Sequence, residues 1–174
     1  MKGADFDANV NGLASLPSHQ LAMTLLMTPD MANFMGNVHG GTILKLLDQV
    51  AYACASRHAG SYVVTLSVDQ VTFRESIHVG ELVTFLASIN YTGNTSLGIG
   101  IKVIAENRTH VARHANRCYF TMVAVDEAGK PTAVPPLTPS TLNERRRFEE
   151  AKLRKALRRE LAARHHAMKH PPQV

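Results

Sequence analysis

The sequence has no tryptophan and only two cysteines, and aromatic residues make up 6% of its 174 positions. Cys54 and Cys118 are too few for a disulfide framework or a four-ligand zinc spacing, so a reduced, cytoplasmic setting is the expectation. No apolar run approaches the length that crosses a bilayer. The opening stretch MKGADFDANVNGLASLPS carries Asp5 and Asp7 where a secretory signal would be apolar, and no such signal is expected. Acidic residues are also the minority, 14 Asp and Glu against 19 Lys and Arg, but the imbalance is local. Residues 141–170 hold ten basic and four acidic side chains, which leaves nine against ten elsewhere. A basic tail on a nearly neutral body is poor ground for a nucleic-acid-binding domain.

What is present reads as one domain. Residues 1–17 form a polar, flexible lead-in, 18–137 the folded body, and 138–174 a basic linker and helix. HQLAMTLLM, residues 19–27, suits a first strand ended by Thr28-Pro29-Asp30. Gly40-Gly41 stands where a long helix begins, and Ala59-Gly60 closes it with a glycine cap. That helix is apolar almost all round, so burial is expected. After Gly60 the apolar period falls from 3.6 to 2. Val64, Leu66 and Val68 alternate with polar residues before Val71 and Phe73 take over, which predicts a bulge near Asp69-Gln70. The runs Val83 to Tyr91, Leu97 to Ala105 and Cys118 to Ala124 alternate likewise, with Thr92-Gly93-Asn94 as a tight turn. Their connections are too short for helical crossovers, so the sheet is antiparallel. Wrapped around one helix, it leaves helix surface for a second copy to cover. Further on, Thr141-Leu142-Asn143-Glu144 matches a capping box at the head of a charged C-terminal helix. Leu153, Leu157 and Leu161 make a narrow stripe on it, as on a solvated helix, too thin for a membrane interface.

The first helix holds one carboxylate, Asp48, among apolar neighbours. A carboxylate taken out of water has to be paired, hydrogen-bonded or functional. On the residues alone, an ion pair with Lys45 and a chemical role stand level. Asn33 by itself reads as a loop-turn asparagine. His39, beside glycines and far from any serine-nucleophile motif, reads as structural or pocket-lining. Cys54 and Cys118 read as core.

Four segments then fall in order: NFMGNVHGGTILKLLD, VVTLSVDQVTF with HVGE, NYTGNTS, and VPPLTPST with RRFEEA. Together they resemble the hot-dog-fold acyl-CoA thioesterases of the cytosolic acyl-CoA hydrolase type, over residues 19 to about 150. The resemblance implies an α+β fold, an antiparallel sheet wrapped around a long central helix, with a C-terminal helix added. It also implies pairing into a double hot-dog dimer, often as a trimer of dimers, a homohexamer. The implied activity, a step of fatty acid and lipid metabolism, is hydrolysis of fatty acyl-CoA to free acid and coenzyme A. No metal or cofactor is implied beyond the coenzyme A of substrate and product, and neither nucleic acid nor stable membrane insertion. The family's catalytic residues fall on Asn33 and Asp48. Asp48 would act as general base or as nucleophile, and Asn33 would orient the water. Thr92-Gly93-Asn94-Thr95-Ser96 resembles the CoA-contacting segment. Arg117, with Arg57, Arg74 and Arg113, is a candidate partner for the phosphates.

Physical chemistry adds to this. Backbone N–H groups at Gly40 and Gly41 are expected as free donors at the positive end of the helix, suited to a developing oxyanion. Gly41 and Asp48 lie seven residues apart, about 10 Å along the axis at ~1.5 Å per residue. A carbonyl resting on one helix start is therefore awkward for the Asp48 of that helix. A two-fold axis would bring Asp48 of one chain to the Gly40-Gly41 end of its partner. Leu44, Ala51, Tyr52 and Ala55 share the face of Asp48, and the alanines would permit close approach. Two other readings rank lower. A non-catalytic acyl-CoA-sensing module would have no need for both Asn33 and Asp48. A hydroxyacyl-thioester dehydratase would carry its histidine between prolines, which Val38-His39-Gly40 lacks.

Overall fold

The computed structural model describes residues 16–169. Most of the lead-in expected over 1–17, and Pro171-Pro172, lie outside them. The strands are β1 (Gln20–Leu26), β2 (Tyr62–Phe73), β3 (Leu82–Thr92), β4 (Ser96–Glu106) and β5 (Ala112–Val125). Two helices, α1 (Gly40–Ala59) and α2 (Leu142–Lys169), complete the elements that matter for function. One five-stranded sheet runs in the order β1-β3-β4-β5-β2, with every neighbour antiparallel. Its two edges are therefore β1 and β2.

Alternation puts Val83, Phe85, Leu97, Ile99, Ile101, Val103, Cys118, Phe120 and Met122 on the face toward α1, each at most 2% exposed. Against them α1 buries Ile43, Leu46, Leu47, Val50, Ala51, Cys54 and Ala55, spaced three and four apart as a helix requires. Full burial of one such large side chain contributes about 1.5–3 kcal/mol, so this face carries the stability of the domain. The helix ends at Gly60, whose left-handed backbone (φ 68°) suits glycine and lets its N–H donate to the Ser56 carbonyl at 2.9 Å. Among the described residues no helix is long and apolar enough to cross a membrane.

The structure corrects four expectations. α1 is not buried all round: Gly41, Leu44, Lys45, Asp48, Gln49 and Tyr52 form an open face in the single chain. Ala51 and Ala55, expected on that face, are fully buried in the chain's own core. In β2 the register shifts twice, between Thr65 and Ser67 and between Val68 and Gln70. The second shift is the expected bulge. Against expectation, the alternating Val64, Leu66 and Val68 are exposed, while Val63 between them and Tyr62 is buried. In β3 a shift between Ile89 and Tyr91 turns Tyr91 outward, where its ring packs on Phe148 of α2 at 5.3 Å between centroids.

That contact belongs to the fourth correction. The charged helix is not simply solvated, because its first half docks on the outer face of the sheet. Arg154 lies 3.7 Å above the Tyr119 ring, and Arg158 pairs with Asp69 at 2.6 Å. The capping box forms as expected: Thr141 Oγ1 accepts from the Glu144 N–H at 3.1 Å, and Glu144 accepts from the Thr141 N–H at 3.0 Å. His165 and His166, expected at a frayed end, still lie within the helix.

Candidate active site

The loop before α1 is built around Asn33. Its Oδ1 accepts the N–H groups of Met35 at 2.9 Å and Asn37 at 3.2 Å, the local turn open to a short amide side chain. Both oxygen bonds are internal to the loop, while the Asn33 amide N–H₂ has no partner among the described residues. The amide lines a cavity of about 290 Å³ with Gly40, Ile43, Phe73 and Arg74.

At the helix start, the His39 Nδ1 accepts the Gly41 N–H at 2.9 Å. Its carbonyl accepts those of Thr42 and Ile43. A Cβ on residue 41 would stand 3.1 Å from the His39 Nδ1, so glycine makes room for the capping ring. Of the two donors expected to be free, Gly41 is therefore occupied. The Gly40 N–H has no acceptor among the described residues and borders the Asn33 cavity. One backbone donor at the positive end of the helix is thus left open beside the cavity among the described residues.

Asp48 does not reach this cavity. It lies on the open face of α1, and its Oδ1 accepts from the Thr65 hydroxyl of β2 at 2.7 Å. No ion pair joins it to Lys45 among the described residues. A charge-assisted bond to a hydroxyl fixes one carboxylate oxygen and leaves the other with open valence. Thr65 was not singled out from the sequence. Its only signal is its place in the polar half of an alternating strand, and the register of β2 first shifts just after it, between Thr65 and Ser67. The chain thus presents two half-sites, Asn33 with Gly40, and Asp48 with Thr65.

The proposed coenzyme A contacts separate similarly. In the turn 92–96 the Gly93 N–H donates to the Ser96 carbonyl at 2.7 Å. The Asn94 and Thr95 carbonyls accept from Val134 and Ala124, and the Thr92 hydroxyl accepts the Leu137 N–H at 2.9 Å. Much of the turn's polarity is spent on holding the 134–137 strap. Arg117 stands opposite Lys102, six residues along β4 from Ser96, or roughly 20 Å at about 3.4 Å per residue. The structure does not bring Arg117 and the turn together. Arg113 is bound by Glu81 at 2.7 Å, and Arg57 by the Leu16 and Gln20 carbonyls, so neither is a free cation. Cys54 and Cys118 are fully buried, and burial pushes both thiols up to about 12, as inert core residues.

Sheet and helix together define the hot-dog class. A family model, the thioesterase superfamily, matches residues 35–112. The chain is 54% identical to protein VdlD of Helicobacter pylori over 80% of each, and 32% identical to an uncharacterized acyl-CoA thioester hydrolase of Zymomonas mobilis, covering 72% of this chain and 85% of that one. It also matches the cytosolic acyl coenzyme A thioester hydrolase of Homo sapiens at 35% identity, over 76% of this chain and 36% of that longer one. Among solved structures it superposes on a hexameric acyl-CoA thioesterase with a TM-score of 0.81 at 37% identity, covering 84% of this chain and 94% of that one. An acyl-CoA hydrolase of Staphylococcus aureus, solved with butyryl coenzyme A and coenzyme A, gives 0.77 at 27%, covering 87% and 92%. That enzyme has also been solved with single alanine substitutions of an asparagine, an aspartate and a threonine. This chain belongs to the thioesterase superfamily.

Proposed function

We propose that the protein hydrolyses acyl-CoA to free acid and coenzyme A, at a site completed by two protomers. Asp48, oriented by the Thr65 hydroxyl, serves one protomer's half. Asn33 and the Gly40 N–H of the partner serve the other. As general base, Asp48 takes a proton from water as the water oxygen bonds to the thioester carbon. The Gly40 N–H steadies the oxygen that becomes negative, the C–S bond breaks, and the proton passes to the departing thiolate. As nucleophile, Asp48 would bond the same carbon, expel the thiolate and await water.

The carrying observation is the pair of unlike half-sites, Gly40 and Asp48 lying eight residues or about 12 Å apart along one helix, too far for one thioester to touch both. Two further observations support the reading. Tyr52 of α1 and Tyr62 of β2 meet edge to face at 6.3 Å, joining the open helix face to the exposed Val64, Leu66 and Val68 of an edge strand. An unpaired edge with such a patch invites a second copy. The spacing of Asn33, Asp48 and Thr65, fifteen and then seventeen residues, also equals that of the asparagine, aspartate and threonine substituted in the Staphylococcus enzyme. Assembly beyond the dimer, as in the hexameric relatives, follows the same proposal.

The test is free-thiol release from a series of acyl-CoAs by wild type, Asp48→Ala, Asn33→Ala and a co-refolded mixture of the two. Each variant is expected to lose on the order of 10²-fold or more. The mixture should regain about a quarter of the wild-type rate, since half the dimers are mixed and each of these holds one intact site. Unchanged rates in the single variants would remove both residues from the chemistry. Binding of acyl-CoA without thiol release by the wild type would instead mark a sensing module.

A further inference from the structure

The alternation that puts Met122, Phe120 and Cys118 on the inner face of β5 continues back to Asn116, a polar residue at an apolar position. Asn116 is 0% exposed, and neither its Oδ1 nor its Nδ2 has a hydrogen-bond partner among the described residues. No other side chain among them leaves both a donor and an acceptor buried and unpaired. The register partners of Asn116 are Val103 of β4 and Phe73 of β2, hydrocarbon on both sides. A buried amide with both ends unmade bears its whole desolvation penalty, which a leucine of the same heavy-atom shape would avoid.

Its position relates this amide to the candidate active site through Phe73. That residue lines the Asn33 cavity with Val38, Ile43 and Ile77, and its ring stands 3.7 Å from where a Cβ on Gly40 would be. Side chains directly opposite each other on one face of a strand pair have Cβ atoms about 4.5–5.5 Å apart, so Asn116 lies one side chain behind the cavity wall. Phe73 is half exposed at the end of an edge strand, and its ring is free to turn aside for a ligand entering from the cavity. Val38, Ile43 and Ile77 make the passage inward from the Gly40 N–H apolar. A fatty chain bearing one polar substituent has that sequence of polarities. The amide also selects the substituent: Oδ1 needs a donor, Nδ2 needs an acceptor, and a hydroxyl is both at once. A keto oxygen would leave Oδ1 unpaired, and bare hydrocarbon would leave both. A water would meet hydrocarbon on its other sides, short of the roughly three bonds that buried waters make.

We propose that Asn116 is a specificity-determining residue, and that the substrate is an acyl-CoA whose chain carries a hydroxyl group. The hydroxyl donates to the Asn116 Oδ1 and accepts from its Nδ2, while the chain lies past Ile43 and Phe73. This inference rests on the proposed function and names its substrate class, so chain recognition is measured apart from hydrolysis as well as through it.

The experiment measures thiol release from acyl-CoAs of one chain length, bare or hydroxylated at each carbon in turn. Wild type, Asn116→Leu and Asn116→Thr are compared as full chains. For wild type, kcat/KM for one hydroxylated isomer should exceed that for the bare chain roughly tenfold or more, because the bare chain leaves the amide unpaired. Asn116→Leu should reverse that order, and Asn116→Thr, with its shorter hydroxyl, should fall between. A second readout needs no hydrolysis. The favoured hydroxylated fatty acid should raise the melting temperature of wild type more than the bare acid does, and unliganded Asn116→Leu should melt above wild type. Hydroxylated and bare chains within twofold of each other for wild type would overturn the proposal and leave the amide with an internal water only. The same preference in Asn116→Leu as in wild type would overturn it too. So would an Asn116→Leu protein that melts lower or fails to fold, since the amide would then serve the fold itself. Absence of thiol release from every acyl-CoA, with the melting preference intact, would count against the proposed function alone.

Discussion

The two helices lie on opposite faces of one sheet and obey different physics. α1 spans 20 residues and buries seven of its apolar side chains against the sheet. α2 spans 28 residues and buries Ala151 alone. The first is held by area removed from water, and its open side can therefore carry chemistry without endangering the fold. The second is held by a cap, ring contacts and ion pairs such as Arg158 with Asp69. Contacts of that kind orient an element and respond to pH and salt more than packed hydrocarbon does.

Truncation breaks this contrast most directly. Leu47 on α1 is fully buried, while Leu157 on α2 is 53% exposed. Leu47→Ala is expected to lose about 2–5 kcal/mol, and Leu157→Ala to stay within about 0.5 kcal/mol. Denaturant unfolding at one fixed protein concentration checks both. A large loss from Leu157→Ala would show that its stripe is covered by another copy, and that α2 belongs with the buried elements after all.

A smaller effect is expected on the open side of α1. Thr65→Val keeps the shape of the side chain and removes the 2.7 Å donor to Asp48. A hydrogen bond to a charged group is worth about 1.5–3 kcal/mol, so thiol release should slow about 10- to 100-fold with little change in unfolding. Thr65→Ser should restore most of the rate, which a packing role for the threonine methyl would not allow.

Thr65 also marks how far the sequence could be read. Both ends of α1 were visible, because Gly60 has one physical use at a helix end and Gly40-Gly41 stands at its start. Three strands were visible because their apolar faces meet α1 in an unbroken period of two. Asp48 stood out as a lone carboxylate in an apolar helix, whereas a threonine in an alternating strand stands out in no way. The register shift just after Thr65 is a property of pairing with β5, not of β2 alone. The occupied N–H of Gly41 and the outward turn of Tyr91 were hidden for the same reason. A ring nitrogen two residues away took the first, and a bulge fixed by β4 produced the second.

The smallest effect tests the polar attachment of α2 at its root. The Thr141 and Ser140 N–H groups and the Ser140 hydroxyl donate to Glu144, with the His19 ring beside it, and hold its carboxyl far below the ordinary carboxylate range. A carboxyl whose pKa is lowered by folding adds stability that is fully present above its unfolded value, about 4.3, and is lost as pH falls through the folded value. Stability at the head of α2 should therefore drain away below about pH 4. Acid also weakens Glu81, where burial would raise the carboxyl but Arg113 and the His78 N–H hold it below its usual value. The readout is thus the difference between wild type and Glu144→Gln. That difference should be near 1 kcal/mol at pH 7, as for a lost cap, and should shrink in acid as the wild-type carboxylate is protonated. Hydrogen exchange should place the change at residues 140–148 and leave α1 protected. A difference independent of pH would mean that the Glu144 charge contributes nothing to the cap, and equal loosening of α1 would mean that the two helices unfold as one.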